Sequence, residues 1–147
     1  MKLLIFMALA AALPFAAHAE VTVTEAWARA SILASRPGAA YLTAMSDVDD
    51  RLIGMTTPVA DEVTLHATET DMAGIGRMVQ IEALDLPAEE AVTLTPGRMH
   101  LMLMGPSEKL AEGTTFPLIL NFETAGEITV DVPVLGVAAT GPGGAAE

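Results

Sequence analysis

Short stretches in which apolar and polar residues alternate, separated by turn residues, run through most of the chain. The alternation is clear in Val21–Thr24 and Glu62–Glu69, and longer strand-like stretches cover Phe116–Phe122 and Glu127–Leu135. A period of two is typical of β-strands, and no segment keeps a helical period beyond a turn or two. Many short strands with closely spaced turns predict a single all-β domain of antiparallel strands, arranged as a sandwich or barrel.

The pattern also predicts most of the individual elements. A helical turn is predicted for Ser107–Gly113, and Trp27 and Tyr41 are assigned to the core or its margin. The other predicted strands are Ala39–Met45, Arg51–Thr56, Met78–Leu84, Ala91–Thr95 and the stretch Arg98–Gly105.

The two ends of the chain differ from this pattern. The positive start Met1-Lys2 precedes the apolar run Leu3–Phe15, and Ala17-His18-Ala19 is a small-x-small cleavage signal. We therefore expect residues 1–19 to be a signal peptide that exports the protein to an oxidising compartment. The β domain is then expected at 20–137, followed by a flexible, glycine-rich tail at 138–147.

Composition narrows the possible partners. Without Lys2, six basic residues face nineteen acidic ones, and the net charge moves from −12 to −13. Such a chain is a poor candidate for nucleic acid or an anionic membrane surface, and no second apolar run is long enough to span a bilayer. Cysteine is absent, so neither disulfides nor thiolate ligands are available, and any soft-metal chemistry has to use methionine.

One strand combines a histidine with methionines. After the Pro-Gly turn, His100, Met102 and Met104 occupy alternate positions, with Leu101 and Leu103 between them. Side chains two apart on a strand point the same way. The leucines therefore face the core, and the imidazole and thioethers share the opposite face.

A predicted hairpin supplies a second pair of the same kind. With a turn centred on Met72, His66 lies directly opposite Met78, and Val63 matches Ile81 on the core face. Direct cross-strand neighbours have Cβ atoms roughly 4.5–5.5 Å apart. The apolar register thus predicts an imidazole beside a thioether.

If the two strands approach each other, two imidazoles and two thioethers surround one point. Thioether is a soft, neutral donor that suits Cu(I) and is a poor ligand for zinc, magnesium or calcium. His66, Met78, His100 and Met102 are therefore the predicted ligands of one Cu(I) per chain. Met45, Met55 and Met99 are assigned to the core, and the roles of Met72 and Met104 stay open.

Other function classes fit less well. A blue-copper electron carrier needs a cysteine ligand, and hydrolysis needs a nucleophile beside a histidine, which the sequence does not offer. We expect a protein that is not an enzyme. The alternative is an exported β-sandwich that binds protein partners without metal, through a methionine-rich surface.

The spacing of these residues resembles a known family. His66, eleven residues, Met78, twenty-one residues and His100-Leu101-Met102 are similar to the signature of the periplasmic copper chaperones called PCu(A)C, or DUF461. The resemblance extends over Val21–Val134. Its similar flanks are Ala26-Trp27-Ala28-Arg29-Ala30, Gly38-Ala39-Ala40-Tyr41, His100-Leu101-Met102-Leu103-Met104-Gly105 and Gly113-Thr114-Thr115-Phe116-Pro117-Leu118.

The resemblance implies a cupredoxin-like Greek-key barrel or sandwich with one Cu(I) in a shallow surface site. It also implies copper delivery, by ligand exchange, to the copper A centre in subunit II of cytochrome c oxidase, beside the thioredoxin-like Sco proteins. Two departures stand out: position 67 is Ala where many relatives have Met, and no His or Met follows Val137. We therefore expect one primary site and no tail site. The protein itself is expected to be a monomer, although the sequence does not show whether two molecules share copper through facing methionine surfaces.

Overall fold

The structure, a computed structural model, describes residues 18–143. Residues 1–17 of the predicted signal peptide and 144–147 of the predicted tail lie outside the described residues. Within 18–143 there are ten strands and no helix, and so no helix long and apolar enough to cross a membrane. The strands are β1 (Val21–Arg29), β2 (Gly38–Ser46), β3 (Asp50–Thr56), β4 (Ala60–Thr70), β5 (Gly76–Ile81), β6 (Leu84–Leu86), β7 (Val92–Thr93), β8 (Met99–Pro106), β9 (Thr115–Phe122) and β10 (Gly126–Leu135).

The strands are joined in the order β5-β4-β8-β2-β1-β10-β9-β3-β6, and β7 pairs with β2. All of these pairs are antiparallel except β1 with β10, which run parallel with Ala28 opposite Val134. The all-β class is therefore confirmed. The single parallel pair, which the sequence pattern did not indicate, joins the half of the sheet that contains β4 and β8 to the half that contains β9.

The core draws on both halves of the sheet. Leu101 and Leu103 of β8 and Leu118 and Leu120 of β9 belong to one buried cluster, and each is at most 1% exposed. Burying a leucine side chain contributes roughly 1.5–3 kcal/mol, so this cluster fixes which face of β8 turns inward.

The single tryptophan and the single tyrosine also lie in buried positions. Trp27 and Tyr41 are directly opposed on β1 and β2 and stack with ring centroids 4.4 Å apart. Both are buried, which confirms their assignment to the core or its margin. Burial raises the pKa of the Tyr41 phenol, and the nearby Arg29 guanidinium partly offsets that rise.

Two predicted elements were wrong. The predicted strand Met78–Leu84 is divided between β5 and β6, which lie at opposite ends of the strand order. The predicted helical turn at Ser107–Gly113 is absent, and the segment has bends and a turn instead. Its Leu110 is tied to a distant loop, because the Leu110 amide donates to the Ser31 hydroxyl and the Leu110 carbonyl accepts from the Ser31 amide. These bonds replace those of a helical turn.

One of the three methionines assigned to the core was misplaced. Met55 and Met99 pack against the core, as expected. Met45 is 42% exposed, because it lies on the face of β2 opposite to that of the buried Leu42 and Ala44.

The domain boundary expected after residue 137 stays a prediction. Ala139, two residues beyond that boundary, is buried, and its carbonyl accepts a hydrogen bond from Arg29 Nε at 2.8 Å. The first residues of the predicted tail therefore pack against β1.

Candidate metal centre

The pairing of β4 with β8 brings the two predicted histidine ligands together. His66 lies directly opposite His100, and Thr64 lies opposite Met102. These four residues share one face of the two strands, because directly opposed residues of an antiparallel pair point to the same side. The alternate residues, such as Leu101, turn into the core.

The β4–β5 hairpin brings Met78 to the same face, in a register different from the predicted one. Met78 lies opposite Thr68, and His66 lies opposite Gln80, so the direct pairing of His66 with Met78 was wrong. The register differs from the predicted one by two residues, which leaves every side chain on the predicted face. His66 and Met78 are thus diagonal neighbours, a separation of roughly 7–8 Å that long side chains can bridge.

We call the surface formed by Met78, His66, His100 and Met102 the donor face. The two imidazoles occupy its centre, with ring centroids 5.9 Å apart and planes inclined by 18°. Met78 lies opposite Thr68, two residues after His66 on β4, and Met102 lies opposite Thr64, two residues before His66. The two thioethers therefore flank the imidazoles. The four predicted ligands therefore sit on three adjacent strands as a contiguous group.

Hydrogen bonding orients one of the two rings. The Thr64 hydroxyl lies 3.3 Å from His66 Nδ1, and Thr64 is itself buried. In the tautomer in which Nδ1–H donates to the Thr64 hydroxyl oxygen, this bond holds the ring plane and leaves the Nε2 lone pair free for a metal ion, as is usual for histidines that bind metals.

Burial affects the other ring. His100 is 9% exposed, and this burial lowers its pKa, with a further lowering from the neighbouring His66 imidazole. A lowered pKa keeps the imidazole neutral and its lone pair free at neutral pH. Metal binding requires this neutral form.

Exposure changes across the donor face. Met78 on the edge strand β5 is 57% exposed, Met102 is half-buried, and His100 is buried. The face is therefore closed on the side of β8 and open on the side of β5.

Two nitrogen donors and two thioether donors form a neutral, soft set. Such a set fits a soft monovalent ion such as Cu(I), and it lacks the oxygen ligands that magnesium and calcium prefer. Within residues 18–143, no three His, Asp or Glu side chains come close enough to hold a metal ion.

Other positions that the sequence had singled out can now be placed. Ala67 faces away from the donor face, opposite Met99 and Val79, so a methionine there would extend from the other side of β4. Met72 is fully exposed at the hairpin turn, and Met104 lies on the same side of β8 as Met102.

Thr64, Gln80 and Glu62, to which the sequence pattern gave no functional role, also share the side of the sheet that carries the imidazoles. Thr64 and Glu62 stand two and four residues before His66, so the strand period was a usable signal for them. Gln80 could be found only once the register of the β4–β5 hairpin was known.

Comparison with known proteins agrees with this architecture. The model of the LpqE-like family, described as putative lipoprotein LpqE-like, matches residues 21–134. The putative lipoprotein Lxx21020 of Leifsonia xyli subsp. xyli is 28% identical over 120 residues, which are 78% of this chain and 69% of that protein.

Two solved structures share the fold over most of the chain. The apo PCuAC domain of PmoF2 is 27% identical with a TM-score of 0.70, covering 85% of this chain and 97% of that domain, and the same domain is known in a copper-bound form. Apo-DR1885 of Deinococcus radiodurans is 30% identical with a TM-score of 0.60, covering 92% and 94% of the two chains, and a structure with Cu(I) exists.

These neighbours have a cupredoxin-like β fold, which confirms that expectation. The family model extends over the strands that build the donor face, and the resemblance in ligand spacing lies within the same segment. The chain belongs to the LpqE-like family, which is the family of the PCuAC domains.

Proposed function

We propose that the protein is a copper chaperone that holds one Cu(I) with His66, Met78, His100 and Met102 and passes it to another protein. The observation that carries this proposal is the direct pairing of His66 with His100, flanked by the two thioethers on one face. The copper-bound PmoF2 domain and Cu(I)-DR1885 support copper as the cargo.

The donor set explains how an ion is retained and still released. Neutral imidazole and thioether ligands hold Cu(I) without the charge of a thiolate. An acceptor with cysteine thiolates offers softer, anionic donors, so transfer to it runs downhill. Because Met78 is the most exposed ligand, we expect exchange to begin on the β5 side and His100 to be released late.

The proposal extends to place and partner. The family and the relative Lxx21020 are both described as putative lipoproteins, which supports an exported protein, and the predicted signal peptide points to the periplasm. As acceptor we propose the copper A centre of cytochrome c oxidase subunit II, with Sco proteins acting beside it. The protein acts there as a monomer by ligand exchange and catalyses no reaction.

Copper X-ray absorption on the Cu(I)-loaded protein tests the ligand set. We expect two sulfur and two nitrogen neighbours around one copper per chain. A shell of oxygen and nitrogen alone would reject the thioether ligands, and a shell of sulfur alone would reject the histidines.

A second candidate function is protein binding without metal. The β4–β5 hairpin favours it, because Met72, Ile75 and Met78 are all exposed apolar side chains on that hairpin. This candidate predicts a partner whose binding is indifferent to copper and to His66→Ala. It gives no reason for the paired imidazoles.

Thr64→Val is expected to weaken Cu(I) binding although Thr64 is not a ligand. The change removes the hydroxyl beside His66 Nδ1 and nearly preserves the side-chain shape. Loss of such an outer partner typically costs about 10–100-fold in metal affinity. Competition with a Cu(I) chelator measures the effect.

Thr70→Val is the matched control for Thr64→Val. Thr70 lies on the same side of β4 but opposite Gly76 and away from both imidazoles. Equal affinities for the two variants would show that the Thr64 hydroxyl does not orient His66.

A further inference from the structure

We propose that Met104 and Glu62 form a second, weaker Cu(I) position, through which the ion enters the donor face. This inference rests on the proposed function. It assigns a role to a methionine that the four-ligand site leaves unused.

The register places the two residues together. Glu62 lies directly opposite Met104, one residue pair beyond Thr64 and Met102. Direct neighbours have Cβ atoms roughly 4.5–5.5 Å apart, so the Glu62 carboxylate and the Met104 thioether can reach the same ion. The pairs His66–His100, Thr64–Met102 and Glu62–Met104 form a continuous path along β4 and β8.

Packing does not account for Met104. The buried side of β8 is filled by Leu101 and Leu103, each 0% exposed, whereas Met104 lies half-buried on the opposite side. A methionine in a core usually fills an irregular gap, and Met104 does not face the core. The Met104 side chain leaves β8 one strand repeat, roughly 7 Å along the backbone, beyond that of Met102.

The charges at this end of β8 favour a cation. Glu62 is exposed, and the Asp61 carboxylate lies against Gly105, directly after Met104. Gly105 has a φ of +58°, and an added Cβ there would collide with Asp61, so the approach of that carboxylate depends on the glycine. Asp61 alternates with Glu62 along β4 and therefore belongs to the other side of the sheet. Glu62 thus supplies the negative charge on the side of Met104, and Asp61 adds only to the overall negative charge at this end of β8.

The chemistry makes this position weaker than the donor face. One thioether is a single soft ligand, and a carboxylate oxygen is a hard ligand that Cu(I) binds poorly. The carboxylate mainly attracts the ion electrostatically. Because Glu62 is exposed, the surrounding water weakens this attraction. An ion held weakly at Met104 can be transferred to the stronger donor face by a single exchange of ligands.

Methionine methyl NMR distinguishes the two positions. The full chain, with ¹³C-labelled methionine methyl groups, is titrated anaerobically with Cu(I) beyond one equivalent. We expect the Met78 and Met102 signals to shift with the first equivalent and the Met104 signal with further copper, while Met99 stays unchanged. Single Met→Leu variants assign the signals.

The outcomes separate the two proposals. If Met78 and Met102 shift but Met104 remains unmoved at several equivalents, the second position is wrong and the chaperone site stands. If neither the Met78 nor the Met102 signal shifts, the four-ligand site is wrong. The second position, which rests on that site, is then wrong as well.

Substitutions provide an independent measurement. Met104→Leu is expected to abolish the second binding phase, and Glu62→Gln to weaken it about fivefold, the effect of one solvent-exposed unit charge. Neither should change the first phase. Met99→Leu and Glu69→Gln, on the opposite side of the same strands, are the controls. A second phase that Met104→Leu retains would overturn the inference.

Discussion

Replacing Met78 and Met102 together by leucine is expected to abolish stoichiometric Cu(I) binding while the fold persists. The double variant removes both sulfur donors and leaves two imidazoles. Loss of an outer-shell partner alone costs about 10–100-fold in affinity, so loss of two ligands should exceed about 100-fold. Competition against a Cu(I) chelator measures this loss.

The same double variant should fold normally. Met78 is 57% exposed and Met102 half-buried, and a Met to Leu exchange nearly conserves volume and usually costs less than about 1.5 kcal/mol. Met45→Leu together with Met55→Leu is the matched control, since neither residue belongs to the donor face. Full copper affinity in the double variant would show that the thioethers are not ligands.

The faces of the site strands could be predicted because side chains alternate with a strict period of two. The buried Leu101 and Leu103 anchor one side of β8, so His100 and Met102 had to occupy the other. The same logic placed His66 and Met78 on one face of the hairpin. An error of two residues in register leaves these assignments intact, whereas an error of one would have reversed them.

The register itself depends on the turn, which the apolar pattern does not specify. The Asp71 carboxylate accepts hydrogen bonds from the Ala73 and Ile75 amides, each at 2.9 Å. Gly74 adopts a φ of +80°, which favours glycine. These contacts centre the hairpin on residue 73, one residue beyond the predicted Met72, and thereby shift every cross-strand pair by two.

The pairing of β4 with β8 lay beyond the sequence pattern. His66 and His100 are 34 positions apart in the printed sequence, and β5, β6 and β7 lie between their strands. Alternation shows which side of a strand is buried, but several neighbours would satisfy the same alternation. The convergence of the two His–Met pairs therefore does not follow from the sequence pattern, and the order of the strands in the sheet supplies it.

The division of Met78–Leu84 has a similar cause. Leu84 and Leu86 are buried in β6, which pairs with β3 at the far end of the sheet. Their apolar alternation is compatible with continuation of the preceding strand. Short strands at opposite ends of a sheet can thus be mistaken for one element when no glycine or proline separates them.

Leu101→Ala is expected to lower the free energy of unfolding by roughly 2–5 kcal/mol. Leu101 is 0% exposed and lies opposite Leu65 on one side and Ala40 on the other. Removing its side chain leaves a cavity between β4, β8 and β2 that these neighbours can fill only partly. Urea unfolding followed by circular dichroism measures the change.

Met102→Leu, one residue further along the same strand, should have the opposite effects on stability and on Cu(I) affinity. It removes a copper ligand but no core packing, so stability should change by less than about 1.5 kcal/mol while Cu(I) affinity falls. Leu101→Ala should keep its affinity for Cu(I) in the folded molecules, because it removes no donor. A strongly destabilised Met102→Leu beside an unaffected Leu101→Ala would mean that the two faces of β8 are reversed. In that case the donor face could not exist, because the imidazole of His100 would be packed in the core.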